Sequence, residues 1–221
     1  IVAGAAELFR ARGVAGTSLD DVCEATSTSK SQLFHYFPEG RTQLLAAVAQ
    51  HEADRVLEDQ QPALDQLSSW AAWQEWRDRV VERYRAQGQS CPLAVLTSQL
   101  GPGSPEHQEV VVGLFRRWQQ KIADGIRSMQ ASGQVGASVD PDRRAAALLA
   151  GLQGGVLIML ATGEIAHLEV ALDEGIGALR GTQGAAQDGI EVSGAAQDGT
   201  GASGAAHGGL GGPAARDGSR A

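Results

Sequence analysis

Ser29 to Tyr36 carry hydroxyls, an amine, a carboxamide, an imidazole and two aromatic rings within eight positions: Ser29, Lys30, Ser31, Gln32, Leu33, Phe34, His35 and Tyr36. Short hydroxyls and a carboxamide hydrogen-bond to base edges, and a lysine pairs with phosphate. Nothing in the run pairs a nucleophile with a base and an orienting carboxylate, so its chemistry is recognition. The chain's other reactive residues do not gather into a set. His35, His51, His107, His167 and His207 are scattered, and there are two cysteines, Cys23 and Cys91. No glycine-rich phosphate loop or nucleophile elbow is present. No catalytic residue, metal ligand or cofactor is expected.

These residues need a scaffold. Thr17 and Ser18 both suit a helix N-cap, with Asp20 or Asp21 as the acidic partner of a capping box. Leu19, Val22, Cys23 and Thr26 follow helical spacing. Ser27-Thr28 breaks the pattern, and Ser29 caps a second helix from Lys30 to Tyr36. Leu33 and Phe37, four apart, face inward. Lys30, Ser31, Gln32, Phe34, His35 and Tyr36 face out, and exposed aromatics there are explained by a binding surface. Two short helices joined by a tight turn form a helix-turn-helix, whose second helix enters a DNA major groove.

The ordered set Ala5-Ala-Glu-Leu-Phe-Arg-Ala-Arg-Gly13, Thr17-Ser-Leu19, Ser29-Lys30, Leu33-Phe-His-Tyr-Phe-Pro38 and Leu44-Leu45 resembles the TetR family of bacterial transcriptional regulators over about residues 1 to 50. Phe37-Pro-Glu-Gly-Arg41 with Cys91-Pro-Leu93 is similar, more loosely, to the subgroup that includes the LmrA and YxaF regulators. The resemblance implies an all-α fold. An N-terminal three-helix domain binds DNA, and a larger helical domain binds a ligand and dimerises through its last two helices as a four-helix bundle. It also implies a short basic arm ahead of the first helix, a segment this sequence, starting at Ile1, does not include. Three positions depart from the pattern. Ser27 stands where the family favours glycine for a positive φ. Ser31 stands where glycine is common. Phe34 replaces a tyrosine whose hydroxyl touches phosphate.

Charge bounds the DNA reading. The 221 residues carry a formal net charge of −8. Within residues 1–51, Arg10, Arg12, Lys30 and Arg41 meet Glu7, Asp20, Asp21, Glu24 and Glu39. Only the field at the docking face matters for binding, so a modest non-specific affinity is expected. The candidate DNA-binding residues are Thr17, Ser18, Ser29, Lys30, Ser31, Gln32, Phe34, His35, Tyr36 and Arg41. Lys30 and Arg41 are expected on phosphate, and Ser31, Gln32 and His35 at base edges. Two cysteines are too few for a disulfide framework and no signal peptide is visible, so the cytoplasm is the expected compartment.

Beyond residue 40 the pattern is helical throughout, about nine helices in all, and no stretch alternates as a strand. Long helices are expected over Arg41 to about Asp59, 64–87, from Pro105, and from Pro141 to about Leu160, where Asp140-Pro141 forms an N-cap and first-turn proline. A short one is expected over Pro92–Leu100. The apolar run Ala145–Ala161 is broken by Gln153 and glycines and reads as a buried helix too short for a membrane span. Trp70, Trp73, Trp76, Arg77, Tyr84, Phe115, Trp118 and Gln153 are the candidate ligand pocket, its flat apolar walls carrying a few polar anchors. Leu148, Leu152, Gly155, Met159, Leu168, Leu172 and Ile176 are the candidate dimer interface. Gly151, Gly154 and Gly155 would allow close helix approach. From Gly181, Gly-Ala-Ala-Gln-Asp-Gly at 184–189 returns at 194–199, and Gly-Ala-Ala-His-Gly-Gly follows at 204–209. With almost no apolar side chains this segment cannot offset its ordering entropy.

The expected organisation is a DNA-binding domain over 1–45, a helical effector-binding and dimerisation domain over 46–180, and a disordered Gly/Ala-rich tail over 181–221. The expected function is a DNA-binding transcriptional regulator, a homodimer released from double-stranded operator DNA by a small, mostly apolar ligand, with no membrane partner. A helical ligand-binding module without DNA binding is the alternative, and a helical enzyme a third class. Binding to the protein's own upstream DNA separates the first from the others.

Overall fold

The computed structural model describes residues 1–88 and 105–180. Among them are eight α-helices: α1 Val2–Arg12, α2 Leu19–Ala25, α3 Lys30–Tyr36, α4 Arg41–Glu58, α5 Trp70–Gln87, α6 Pro105–Ala131, α7 Pro141–Thr162 and α8 Ala166–Arg180, with a 3₁₀ turn at Ala63–Asp65. No strand occurs among the described residues. The expected helix at Pro92–Leu100, Cys91 and the tail from Gly181 lie outside them.

Local chemistry sets the ends. Ser18, rather than Thr17, caps α2: its hydroxyl accepts from the Asp21 N–H, and the Asp21 carboxylate accepts from the Ser18 N–H at 2.7 Å. Ser29 and Gln32 repeat that arrangement on α3. Ser27, between the two helices, has φ 52°, the one positive φ outside glycine among the described residues. It is the left-handed conformation anticipated where the family favours glycine. Asp140 accepts from the N–H groups of Asp142 and Arg143 at the start of α7, with Pro141 at the first helical position. Gly163, at φ 81°, ends that helix.

One expected helix is divided. Residues 64–87 do not run continuously; the chain turns at Ala63–Asp65, and Ser69 starts α5 afresh by accepting from the Ala72 N–H. A serine hydroxyl satisfies a first-turn N–H that has no partner within the helix.

The N-terminal helices enclose Ala5, Ala6, Phe9, Val22, Leu33 and Leu44, all nearly inaccessible. α1 packs on α4, and Phe9 anchors it; Phe9→Ala would remove about 3–5 kcal/mol by cavity formation. α4 continues past the expected boundary at residue 45 as one unbroken helix and buries Val48, Ala49, Ala53, Val56 and Leu57 against the rest. It thereby joins the reading head to the body, since α6 packs on α4 as well.

α7 packs against both α6 and α8. It is long and apolar enough to cross a membrane by length and composition, with mean hydropathy 1.8 in its most apolar window. Length therefore does not exclude a span, contrary to expectation. What defines the helix is its packing: Ala145, Leu148, Leu149, Leu152, Gly155, Val156 and Met159 are buried against its neighbours. Gly155 permits the closest approach. A Cβ there would lie 2.5 Å from Leu168 Cα in α8, so only glycine fits.

Candidate DNA-reading head, helical body and paired outer face

α3 offers one inward residue and a row of exposed ones. Leu33 is buried, whereas Lys30, Ser31, Gln32, Phe34, His35 and Tyr36 are exposed. Phe34 and Tyr36 are 48% and 64% accessible, unusual for aromatic rings on a small helix. His35 and Tyr36 meet edge to face, 5.3 Å between centroids. The Phe34 ring leans toward the α3–α4 turn, where a Cβ on Gly40 would come within 3.2 Å of it. Gly40 has φ 64°, so absence of a side chain serves both backbone and ring there.

The lysine and arginines of the head each have a partner within the chain. Lys30 donates to Asp20 of α2 at 3.0 Å, which raises the amine's pKa above its ordinary value. Arg12 lies 3.8 Å from Asp21. Arg10 is paired with Glu52. Arg41, expected on phosphate, turns inward and donates to the carbonyls of Thr17, at 2.6 Å, and Val14. It fastens the α1–α2 loop to the start of α4. Thr17 is also corrected: it is 2% accessible, and its hydroxyl donates to the Gly13 carbonyl at 2.9 Å. It is structural. The Ser18 hydroxyl and backbone N–H hold the Asp21 carboxyl below the ordinary carboxylate range.

In the body, Trp73, Trp76 and Trp118 are fully buried and Tyr84 nearly so. Trp73 and Trp76 meet edge to face at 5.8 Å, and the Trp76 indole N–H donates to Gln60 Oε1 at 2.9 Å. Of the three tryptophans within residues 70–76, two are thus fully buried. Trp70 is partly buried, with the Arg180 guanidinium 4.6 Å from its ring centroid. Phe115 is partly buried as well. Arg77 is no pocket anchor. Its guanidinium spans α5 and α8 in a two-pronged pair with Asp173, at 2.8 and 2.9 Å, because the two helices run side by side. The indole N–H groups of Trp73 and Trp118 and the carboxamide nitrogen of Gln153 are buried without an acceptor among the described residues. All three are donors.

The expected dimer residues are misplaced by the structure. Leu148, Leu152, Gly155, Met159, Leu168, Leu172 and Ile176 are all buried within the chain itself. The α7–α8 pair leaves a different apolar stripe outside: Leu157 is 69%, Val170 59% and Ile158 38% accessible. A groove of about 430 Å³ runs between them, lined by residues that include Gly151, Gly154, Ile158, Ala166, Val170 and Ala171. α7 carries apolar residues on two sides, and periodicity alone does not say which side meets its own core. Gly154 meets nothing within 4 Å, so the close approach belongs to Gly155 and is internal.

One contact that positions the reading head, the Arg10–Glu52 pair, had only a weak sequence signal. Glu52 sits in the apolar series Val48, Ala49, Ala53 and Val56, an interruption that hints at a buried partner. That the partner is Arg10 is invisible, since they are 42 residues apart.

The family model for bacterial regulatory proteins, tetR family, matches residues 1–48. The model for the tetracyclin repressor-like C-terminal domain matches residues 63–174. The chain belongs to the TetR family. Its helix-turn-helix is therefore a DNA-binding domain, and residues 63–174 form the family's ligand-binding type of C-terminal domain. Among curated TetR-like relatives, an uncharacterised helix-turn-helix transcriptional regulator of Mycobacterium tuberculosis is 29% identical over 142 residues, 57% of this chain and 70% of that protein. The transcriptional regulator AcuR of Cereibacter sphaeroides is 25% identical over 151 residues, 66% and 68% of the two chains. Among solved structures, a TetR-family regulator from Cytophaga hutchinsonii superposes with a TM-score of 0.69 at 20% identity, covering 81% of this chain and 91% of that one. SmeT, the repressor of the Stenotrophomonas maltophilia multidrug efflux pump SmeDEF, gives 0.61 at 17%, covering 80% and 87%. This TetR-family protein is a transcriptional regulator with the fold its sequence pattern led us to expect.

Proposed function

We propose that this regulator is a cytoplasmic homodimeric repressor, without catalytic activity, that a small, mostly apolar ligand releases from operator DNA. Residues 1–45 read DNA, with Lys30 on phosphate and Ser31, Gln32 and His35 at base edges. Residues 46–180 bind the ligand and form the dimer. The dimer contact uses the outer stripe of α7 and α8 around Leu157, Ile158 and Val170, because those side chains are the large apolar groups left in water on helices whose other faces are filled.

The observation that carries ligand control is the set of buried donors without acceptors. A buried N–H left unpaired costs about 1–3 kcal/mol. The indole N–H groups of Trp73 and Trp118, within an otherwise apolar setting, favour an apolar ligand bearing an acceptor oxygen. α4 is the route of coupling: it starts at Arg41, clamped to the reading head, and it packs on α6, which carries Trp118. A ligand shifts the head only as far as its affinity differs between the DNA-bound and released conformations.

The test is a fluorescence titration of one candidate ligand with and without operator. Binding should change tryptophan emission, and operator should weaken ligand affinity by the factor by which ligand weakens operator affinity. Equal ligand affinity in both conditions would rule out induction. Emission changes that persist in a Trp73→Phe/Trp118→Phe variant would place the ligand elsewhere.

A further inference from the structure

We infer that Gln32 reads an acceptor-only base edge, guanine first, because its helix cap takes up its carboxamide oxygen. The inference rests on the DNA-reading role of α3 and specifies the base that one residue of it selects.

A glutamine in the major groove ordinarily reads adenine with both ends of its amide: the oxygen accepts from N6–H, and the nitrogen donates to N7. Here the oxygen is occupied. Gln32 Oε1 accepts from the Ser29 backbone N–H at 3.0 Å and from the Ser29 hydroxyl at 3.1 Å. Two donors fill its two lone pairs. The backbone N–H is only a donor, so it fixes which end of the amide points inward. In return the Ser29 Oγ accepts from the Gln32 backbone N–H at 3.1 Å. The Gln32 side chain is exposed, and its amide nitrogen is left with two N–H groups to offer.

That polarity discriminates among bases. Guanine presents two adjacent acceptors, O6 and N7. Thymine presents one, O4, beside a methyl group. Adenine sets an amino donor beside N7, and cytosine an amino donor alone. A donor-only amide therefore matches both acceptors of guanine, makes a single bond to thymine O4 or to adenine N7 (in adenine with the N6 amino group opposing its other N–H), and meets cytosine donor to donor. Reading adenine with both ends of the amide would require opening the capping box, which leaves the Ser29 N–H without its acceptor at the start of a seven-residue helix.

The experiment is selection of duplex DNA with a randomised core by the full chain and by its Q32E variant, followed by affinity measurements on the selected duplexes. Glutamate is the usual capping-box residue at this position, so Q32E keeps the cap and should melt at the wild-type temperature, yet it has no N–H to offer a base. Wild type should select guanine at one position per half-site, and guanine→adenine there should weaken binding roughly tenfold. Q32E should lose that preference and favour a base that presents an amino group. Adenine selected by wild type at the position Q32E alters would overturn the inference, as would a Q32E profile identical to wild type; both leave DNA reading intact. If wild type enriches no sequence, the DNA-reading role fails and takes this inference with it.

Discussion

The Arg10 guanidinium in α1 donates to the carboxylate of Glu52, midway along α4, and Glu52 has no accessible surface. The second oxygen of Glu52 has no hydrogen-bond partner among the described residues, so the whole compensation for burying this charge comes from one arginine that is itself 15% accessible. Removing one partner of such a pair strands the other. Glu52→Gln should lower unfolding free energy by about 1–3 kcal/mol. Replacing both residues, Arg10→Met with Glu52→Leu, should recover much of that loss. Denaturant midpoints measure both. A double variant less stable than either single one would show that the ion pair is a net contributor.

With Lys30 on phosphate, as proposed, Asp20 competes with DNA for its amine. The pair is exposed on both sides, 68% for each side chain, so it adds little to stability but screens the amine from phosphate. Asp20→Asn should strengthen binding to every sequence and steepen the log–log salt dependence by about one unit. Arg41→Ala should behave otherwise. Its guanidinium is used on the Val14 and Thr17 carbonyls, so melting temperature should fall while the salt slope stays. An Arg41 variant with wild-type stability and a shallower slope would return it to the phosphate.

Ser27 is held at φ 52°, where a Cβ is disfavoured by about 1–2 kcal/mol, and glycine's extra chain entropy offsets part of the relief. Ser27→Gly should therefore raise stability by roughly 0.5–1 kcal/mol, and Ser27→Val should lower it. Thermal unfolding of the two variants should move in opposite directions; movement in the same direction would contradict the strained turn.

Leu157 tests the dimer contact. The side chain is largely exposed in the single chain, so Leu157→Glu should leave helical circular dichroism intact while the homodimer separates in sedimentation. Leu152→Glu should instead unfold the protein, because that residue is fully buried. A Leu157→Glu protein that still sediments as a dimer would move the interface off this face.

A capping box at Thr17 or Ser18, the Ser29 cap and the unusual turn at Ser27 were legible because each is decided within four residues. That Ser18 pairs with Asp21, and that Gln32 closes a second box on Ser29, came from the structure. Arg41 was not legible. Its carbonyl partners lie 24 and 27 residues back, and an arginine at the start of a helix after a recognition helix looks free in sequence. The interface failed for another reason. α7 has apolar residues on two sides, and Leu152 and Leu157 are chemically identical; only the packing of α6 and α8 tells them apart. The tryptophans fall between these cases. Their spacing placed Trp73, Trp76 and Trp118 facing the body, while the partner of each indole N–H depends on what lies opposite.

The most direct test of a DNA-reading regulator is fluorescence anisotropy of a labelled duplex from the region upstream of the protein's own coding sequence, in the presence of excess unrelated DNA. Saturable binding by two protomers per duplex, weakened by salt and retained against the unrelated DNA, is the predicted result. Binding that unrelated DNA abolishes in proportion to its concentration, or no binding at all, would contradict it.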